Sequence, residues 1–77
     1  MVAAYILIQT QAGQASVVTA ALLDMAGVSE AVSVAGPYDV IARAEARNLD
    51  QLGKLVVSRV QAIVGVERTL TCTVVQI

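Results

Sequence analysis

The chain has no histidine, tryptophan or phenylalanine, and it has one cysteine and one proline among its 77 residues. A single cysteine excludes a disulfide within the chain. Without histidine, and with six scattered carboxylates, we expect no metal site and no cofactor. No nucleophile–base pair and no glycine-rich phosphate loop is present either. We therefore expect no catalytic residues, and a small dimeric α+β-barrel enzyme is the less favoured alternative to a binding module.

Charge is also scarce, because charged residues make up 14% of the chain and the net charge is −1. Neutralising nucleic-acid phosphates requires a basic face, and the five cations are spread along the chain, so we expect no direct contact with nucleic acid. The first apolar run, residues 2–8, is far shorter than the roughly 20 residues needed to cross a bilayer. We expect a cytoplasmic protein without membrane contact.

Apolar residues are abundant instead, at 57% even without glycine, against about 45–50% with glycine counted in an ordinary domain. A chain of this size buries only about 60% of the surface that its unfolded form exposes. We therefore expect residues 1–77 to form a single domain that hides its surplus apolar surface by self-association.

Hydrophobic periodicity divides the first half of the chain into a strand, a helix and a strand. Residues 2–8 are apolar without interruption, which is typical of a central strand covered on both faces. From Gln14 the apolar residues recur at helical spacing. Gly27 stands where glycine commonly follows the last residue of a helix, so we predict a helix over about residues 14–26. Residues 28–35 alternate and predict an edge strand with Val28 and Val32 on one face.

The second half repeats this order. Residues 40–46 predict a strand, and Asn48 with Gln51 forms a capping-box pattern before a strongly periodic helix over about residues 49–64. Gly53 interrupts that helix, which indicates close packing on a strand or on another subunit. Residues 66–77 predict the last strand, in which Cys72 alternates with apolar neighbours and is predicted to be a buried structural thiol.

The order β-α-β-β-α-β predicts an α+β fold, the ferredoxin-like plait, with a four-stranded antiparallel sheet and two helices on one face. The first and third strands should be central. The opposite face has no cover from its own chain. We expect it to carry Tyr5 or residues next to Tyr5, together with Ile41 and Val75. Pairing of two such faces predicts a homodimer.

The only proline lies at the midpoint of the chain, in a turn formed by Gly36, Pro37, Tyr38 and Asp39. Two interpretations remain open. The turn is hairpin geometry alone, in which Asp39 accepts hydrogen bonds from local backbone amides. Alternatively it is a binding corner, in which Asp39 attracts an α-ammonium group while turn amides receive a carboxylate.

Several segments together resemble a known family: the opening strand, the Ala12-Gly13-Gln14 helix entry, the Gly-Pro-Tyr-Asp turn and the ending from Val64 to Thr71. They are similar to the effector-binding (RAM) domain of the Lrp/AsnC transcription regulators over nearly the whole chain. The resemblance implies that an amino acid or similar small molecule binds beside the turn, at contacts between dimers. The residues implied to bind it are Gly36, Pro37, Tyr38, Asp39, Thr69 and Thr71.

The resemblance also implies assembly. Sheet-face dimers of the family join into higher rings, so we expect a ring oligomer and co-assembly with full-length Lrp/AsnC regulators. Family members usually begin with a helix-turn-helix, whereas Met1 here directly precedes the first strand, so we expect a stand-alone form without a DNA-reading element. The alternative is a purely structural co-assembly module that binds no ligand.

Overall fold

The computed structural model describes residues 1–76. Its elements are β1 (Val2–Thr10), α1 (Ala15–Leu23), β2 (Val28–Ser33), β3 (Val40–Ala46), α2 (Leu49–Leu55), which continues as a π-helical turn (Val56–Val60), and β4 (Val66–Thr73). The sheet is antiparallel in the order β2-β3-β1-β4. The predicted ferredoxin-like α+β fold is confirmed, with β1 and β3 in the centre. Ile77, which the last predicted strand included, lies outside the described residues.

The core lies between the sheet and the two helices. Side chains alternate across a strand, so every second residue of β1 faces the helices, and Ile6 and Ile8 are fully buried there. Their neighbours on β3 are Ala42 and Val40. The fully buried alanines of these strands leave room for the helices to lie close to the sheet. The largest fully buried side chains are Ile6, Ile8, Val18, Leu22, Val40 and Val60.

Both helices end earlier than their periodicity predicts. The predicted cap is confirmed, since Asn48 Oδ1 accepts a hydrogen bond from the Gln51 backbone N–H at 2.9 Å. The helix then widens into the π-helical turn, closed by the Gln61 N–H donating to the Val56 carbonyl at 2.9 Å. Gly65 adopts a left-handed φ of 102°, which lets the chain reverse into β4.

The predicted faces of the edge strands are wrong in three respects. A bulge between Val28 and Glu30 turns Val28 toward the helices, while Val32 lies opposite Ile41 on the other side. In β4, Cys72 lies opposite Tyr5 and is exposed, because no helix covers this side of an edge strand. Val75 follows the end of β4 and is not part of the sheet.

We call the side of the sheet that the helices leave uncovered the open face. Cross-strand register and side-chain alternation place these residues on it: Ala3, Tyr5, Leu7 and Gln9 of β1, Glu30 and Val32 of β2, Ile41, Arg43 and Glu45 of β3, and Arg68, Leu70 and Cys72 of β4. The threonines of β4 point the other way, toward α2. Among residues 1–76, no helix is long and apolar enough to cross a membrane.

Candidate ligand-binding site

The turn between β2 and β3 is tied to the end of β1 by Asp39. The Asp39 N–H donates to the Ile8 carbonyl at 2.9 Å, and the Val34 N–H donates to the Asp39 carbonyl at 2.8 Å. The Asp39 carboxylate (Oδ2) accepts from the Thr10 backbone N–H at 2.8 Å. The pairing of β1 with β4 shifts register between Gln9 and Thr10. The Asp39 carboxylate therefore accepts the Thr10 N–H at a point where the hydrogen-bond pattern between these strands is irregular. Asp39 therefore joins distant segments and is not merely a local turn cap.

The remaining turn residues lie outside the core. Gln9 Nε2 donates to the Pro37 carbonyl at 3.0 Å, which holds the tip of the turn against β1. Tyr38 is half-buried, while Gly36 and Pro37 are exposed. A Cβ at Gly36 would meet no described atom within 4 Å, and its φ is not positive. Neither packing nor backbone geometry within residues 1–76 requires glycine at this position, so the surface of the turn is open to an approaching molecule.

Thr69 and Thr71 lie in a groove between β4 and α2, which we call the α2–β4 groove. Thr69, Thr71 and Thr73 form one wall, and the other lining residues are Leu49, Leu52, Gly53, Val56, Val57 and Gln61. The groove has a volume of about 320 Å³, within the range of small-molecule sites. Gln61 Nε2 donates to Thr69 Oγ1 at 2.9 Å and joins the two walls at one end.

Gly53 makes the groove wider. A Cβ at Gly53 would meet no described atom within 4 Å, so the predicted close packing on a strand is wrong, and packing on another subunit stays a prediction. Leu49, Gly53 and Val57 recur every four residues and form a second, exposed stripe on the helix. The sequence analysis did not identify this exposed stripe, because the apolar periodicity of the helix is dominated by the buried residues Leu52, Val56 and Val60.

The turn lies level with the Thr69 end of the α2–β4 groove, which runs on along β4 to Thr73, and the two form no common cavity in a single chain. Val40, next to Asp39, and Thr69 both lie opposite Ile8, on either side of β1. Two strand spacings separate them by about 10 Å. The residues that line the groove do not include the turn, so Asp39 and Thr71 do not face a common cavity.

A second cleft, which the sequence did not indicate, lies where β3 leads into α2. It has a volume of about 540 Å³ and is lined by Gly27, Glu45, Arg47, Asn48 and Gln51, among others. Asn48 Oδ1 already caps α2 there. A polar group of this cleft is therefore already used in capping α2. The α2–β4 groove is the better ligand candidate, because it combines apolar walls with hydroxyl groups.

The sheet order, the two helices on one face and the hairpin turn tied to β1 define a ferredoxin-like domain. The sequence model of the Lrp/AsnC ligand-binding domain matches residues 3–77, and the chain belongs to this family. The resemblance drawn from the sequence is thereby confirmed.

Solved structures agree with this assignment. A hypothetical protein from Pyrococcus horikoshii is 33% identical with a TM-score of 0.91, and the match covers 99% of this chain and 92% of that one. A protein from Thermus thermophilus is 28% identical with a TM-score of 0.92, covering 100% of this chain and 96% of that one. Escherichia coli AsnC is 26% identical with a TM-score of 0.90, covering 97% of this chain and 51% of AsnC. The chain thus spans about half the length of AsnC. A search of curated proteins found no match.

Proposed function

We propose that the chain is an effector-binding and oligomerisation module of the Lrp/AsnC type, and that its effector is an amino acid. The observation that carries the proposal is the α2–β4 groove, where hydroxyl groups on one wall face apolar side chains on the other. Ligand sites combine a largely apolar lining with a few polar groups that fix orientation. Membership of a ligand-binding domain family supports the same assignment.

The proposed ligand residues are those of the turn (Gly36, Pro37, Tyr38 and Asp39) together with Thr69 and Thr71. Asp39 offers a carboxylate to an ammonium group, because its Oδ1 has no hydrogen-bond partner among residues 1–76 while Oδ2 is engaged by Thr10. The threonine hydroxyls donate and accept. We place these two kinds of partner, both of which an amino acid zwitterion requires, on different chains of the assembly, because the turn and the groove of one chain form no common cavity.

Stabilisation by ligand tests this proposal. In a thermal-denaturation screen of the twenty amino acids, at least one should raise Tm saturably, since a ligand at a hundred times its Kd stabilises the folded state by about 2.7 kcal/mol. L-methionine belongs in the screen for a further reason. A Neisseria meningitidis transcriptional regulator solved as an L-Met complex shares the fold at 17% identity, with a TM-score of 0.85.

A matched pair of variants locates the response. Thr71→Val removes a groove hydroxyl with little change in shape, and it should reduce the ligand-induced shift in Tm. Ser16→Ala removes an exposed hydroxyl from α1 and should leave the shift unchanged. A well-folded protein that responds to none of the twenty amino acids would contradict effector binding and leave the structural co-assembly module as the function.

Self-association through the open face is the second part of the proposal. Tyr5, Leu70 and Val32 are 44%, 48% and 52% exposed on this face, and a contiguous exposed apolar patch marks an interaction surface. We propose a homodimer through the open faces and its assembly into a higher ring, with full-length Lrp/AsnC regulators as co-assembly partners. In this account, residues 1–77 act as one ligand-binding domain in the cytoplasm and do not contact nucleic acid.

A further inference from the structure

An ion pair interrupts the apolar open face. Arg43 Nη1 donates a hydrogen bond to Glu45 Oε2, two residues along the same strand. The two side chains are 28% and 40% exposed. The hydrogen bond from Arg43 to Glu45 raises the pKa of Arg43 above its usual value, and Tyr5, directly opposite on β1, adds to the same effect. The pair is therefore held within one chain.

Other contacts of Arg43 are also internal. Its Nη1 lies 3.5 Å from Ser29 Oγ, and that hydroxyl donates to the Arg43 carbonyl at 3.2 Å. Glu30 lies opposite Arg43 on the exposed edge strand β2, yet the ion pair forms with Glu45. The guanidinium thus has its polar partners before any second molecule arrives, and the centre of the open face carries two charges that cancel.

The size of the open face fits a second copy of the chain. Four strands about 4.8 Å apart and seven residues long at about 3.4 Å per residue span roughly 19 by 24 Å. Two such faces in contact would bury roughly 900 Å² of flat area, just under the ~1,000 Å² that a specific interface should exceed. Side-chain relief adds to this area, so the face is large enough for a specific dimer.

We propose that the Arg43–Glu45 pair is the polar determinant of this self-association, an inference that rests on the dimer proposed above. Burying two charges that neutralise each other leaves neither Arg43 nor Glu45 uncompensated at the centre of the contact, while the other charges of the face, Glu30 and Arg68, lie on its edge strands. Removing one partner leaves the other buried alone, which is strongly unfavourable, whereas replacing both by apolar groups is often neutral. The pair therefore acts as a unit: a copy that carries only one of the two charges is rejected as a partner.

Dimer dissociation constants from analytical ultracentrifugation test this proposal. Arg43→Met leaves Glu45 unpaired and should raise Kd on the order of 100-fold or more. The double variant Arg43→Met/Glu45→Met should return Kd to within about 10-fold of the original chain. Lys54→Met is the matched control, because it breaks the exposed Lys54–Asp50 pair on α2, away from the open face. Its Kd should not change.

The outcomes separate this inference from the proposed dimer. A monomeric original chain overturns both. A dimeric original chain with unchanged association of Arg43→Met overturns only the role of the ion pair. A double variant as weak as Arg43→Met also overturns it, because the two charges would then act separately. Circular dichroism of each variant shows whether it is folded, and a folded double variant keeps the test decisive if Arg43→Met alone does not fold.

Discussion

Ile6→Ala should lower the free energy of unfolding by about 3 kcal/mol, the largest single effect that we expect. Ile6 is fully buried on the central strand β1, between Ala42 and Thr71 on its two neighbours. Truncating a buried isoleucine removes its apolar contacts and leaves a cavity that the core closes only in part. For a domain of this size, such a loss corresponds to a fall of about 12 °C or more in Tm at fixed protein concentration.

Leu7→Ala provides the control for Ile6→Ala, since Leu7 is the next residue and points to the open face. At concentrations low enough to keep the chain monomeric, its cost in unfolding free energy should be about 1 kcal/mol or less, because Leu7 is only half-buried in one chain. At higher concentration it should weaken self-association. Equal destabilisation by both variants in the dilute monomer would contradict the assignment of the two sheet faces.

Asp39→Ala should cost about 2 kcal/mol of stability. The Thr10 backbone N–H, in a residue only 9% exposed, would lose the acceptor to which it now donates. An unsatisfied buried donor costs about 1–3 kcal/mol. Asp39→Asn keeps an oxygen in the same place and should lose less than about 1 kcal/mol. Urea denaturation of the three proteins measures the difference, and equal stability of Asp39→Ala and the original chain would show that the contact contributes nothing.

The same asparagine variant distinguishes the two interpretations of the turn. Asp39→Asn retains the acceptor for Thr10 but removes the negative charge that an α-ammonium group would meet. If the carboxylate binds the effector, a folded Asp39→Asn protein should lose most of its ligand-induced stabilisation. If that stabilisation is retained in full, Asp39 acts through the fold alone.

The order of elements could be predicted because local signals mark where each begins or ends. Asn48 caps its helix as its capping-box pattern indicates, and the left-handed conformations of Gly27 and Gly65 mark the reversals after both helices. The early end of the second helix could not be predicted, because the apolar spacing continues past Val60. The change to a π-helical turn depends on packing against the sheet, which local periodicity does not contain.

The orientation of the edge strands could not be predicted, because an alternating strand does not say which of its faces meets the core. Register with the neighbouring strand decides this, and a shift of one residue reverses every side chain. The bulge after Val28 and the pairing of Leu70 with Leu7 are such non-local facts. Cys72, predicted to be buried, consequently lies on the open face.

The candidate site was reached only in part from the sequence. The single proline drew attention to the turn as a candidate binding corner, and the family resemblance implied that Thr69 and Thr71 bind the ligand. The contact between Asp39 and Thr10 spans 29 residues and has no local signature. The α2–β4 groove depends on the absence of a side chain at Gly53, which the sequence suggested to be a point of close packing.

The molar mass of the unmodified chain in solution tests the central claim most directly, because the functions proposed for the open face and its ion pair both depend on self-association. Light scattering on the eluting protein at micromolar concentration should give a mass at least twice the 8.0 kDa of one chain. A folded, monodisperse species of 8.0 kDa under these conditions would contradict the account.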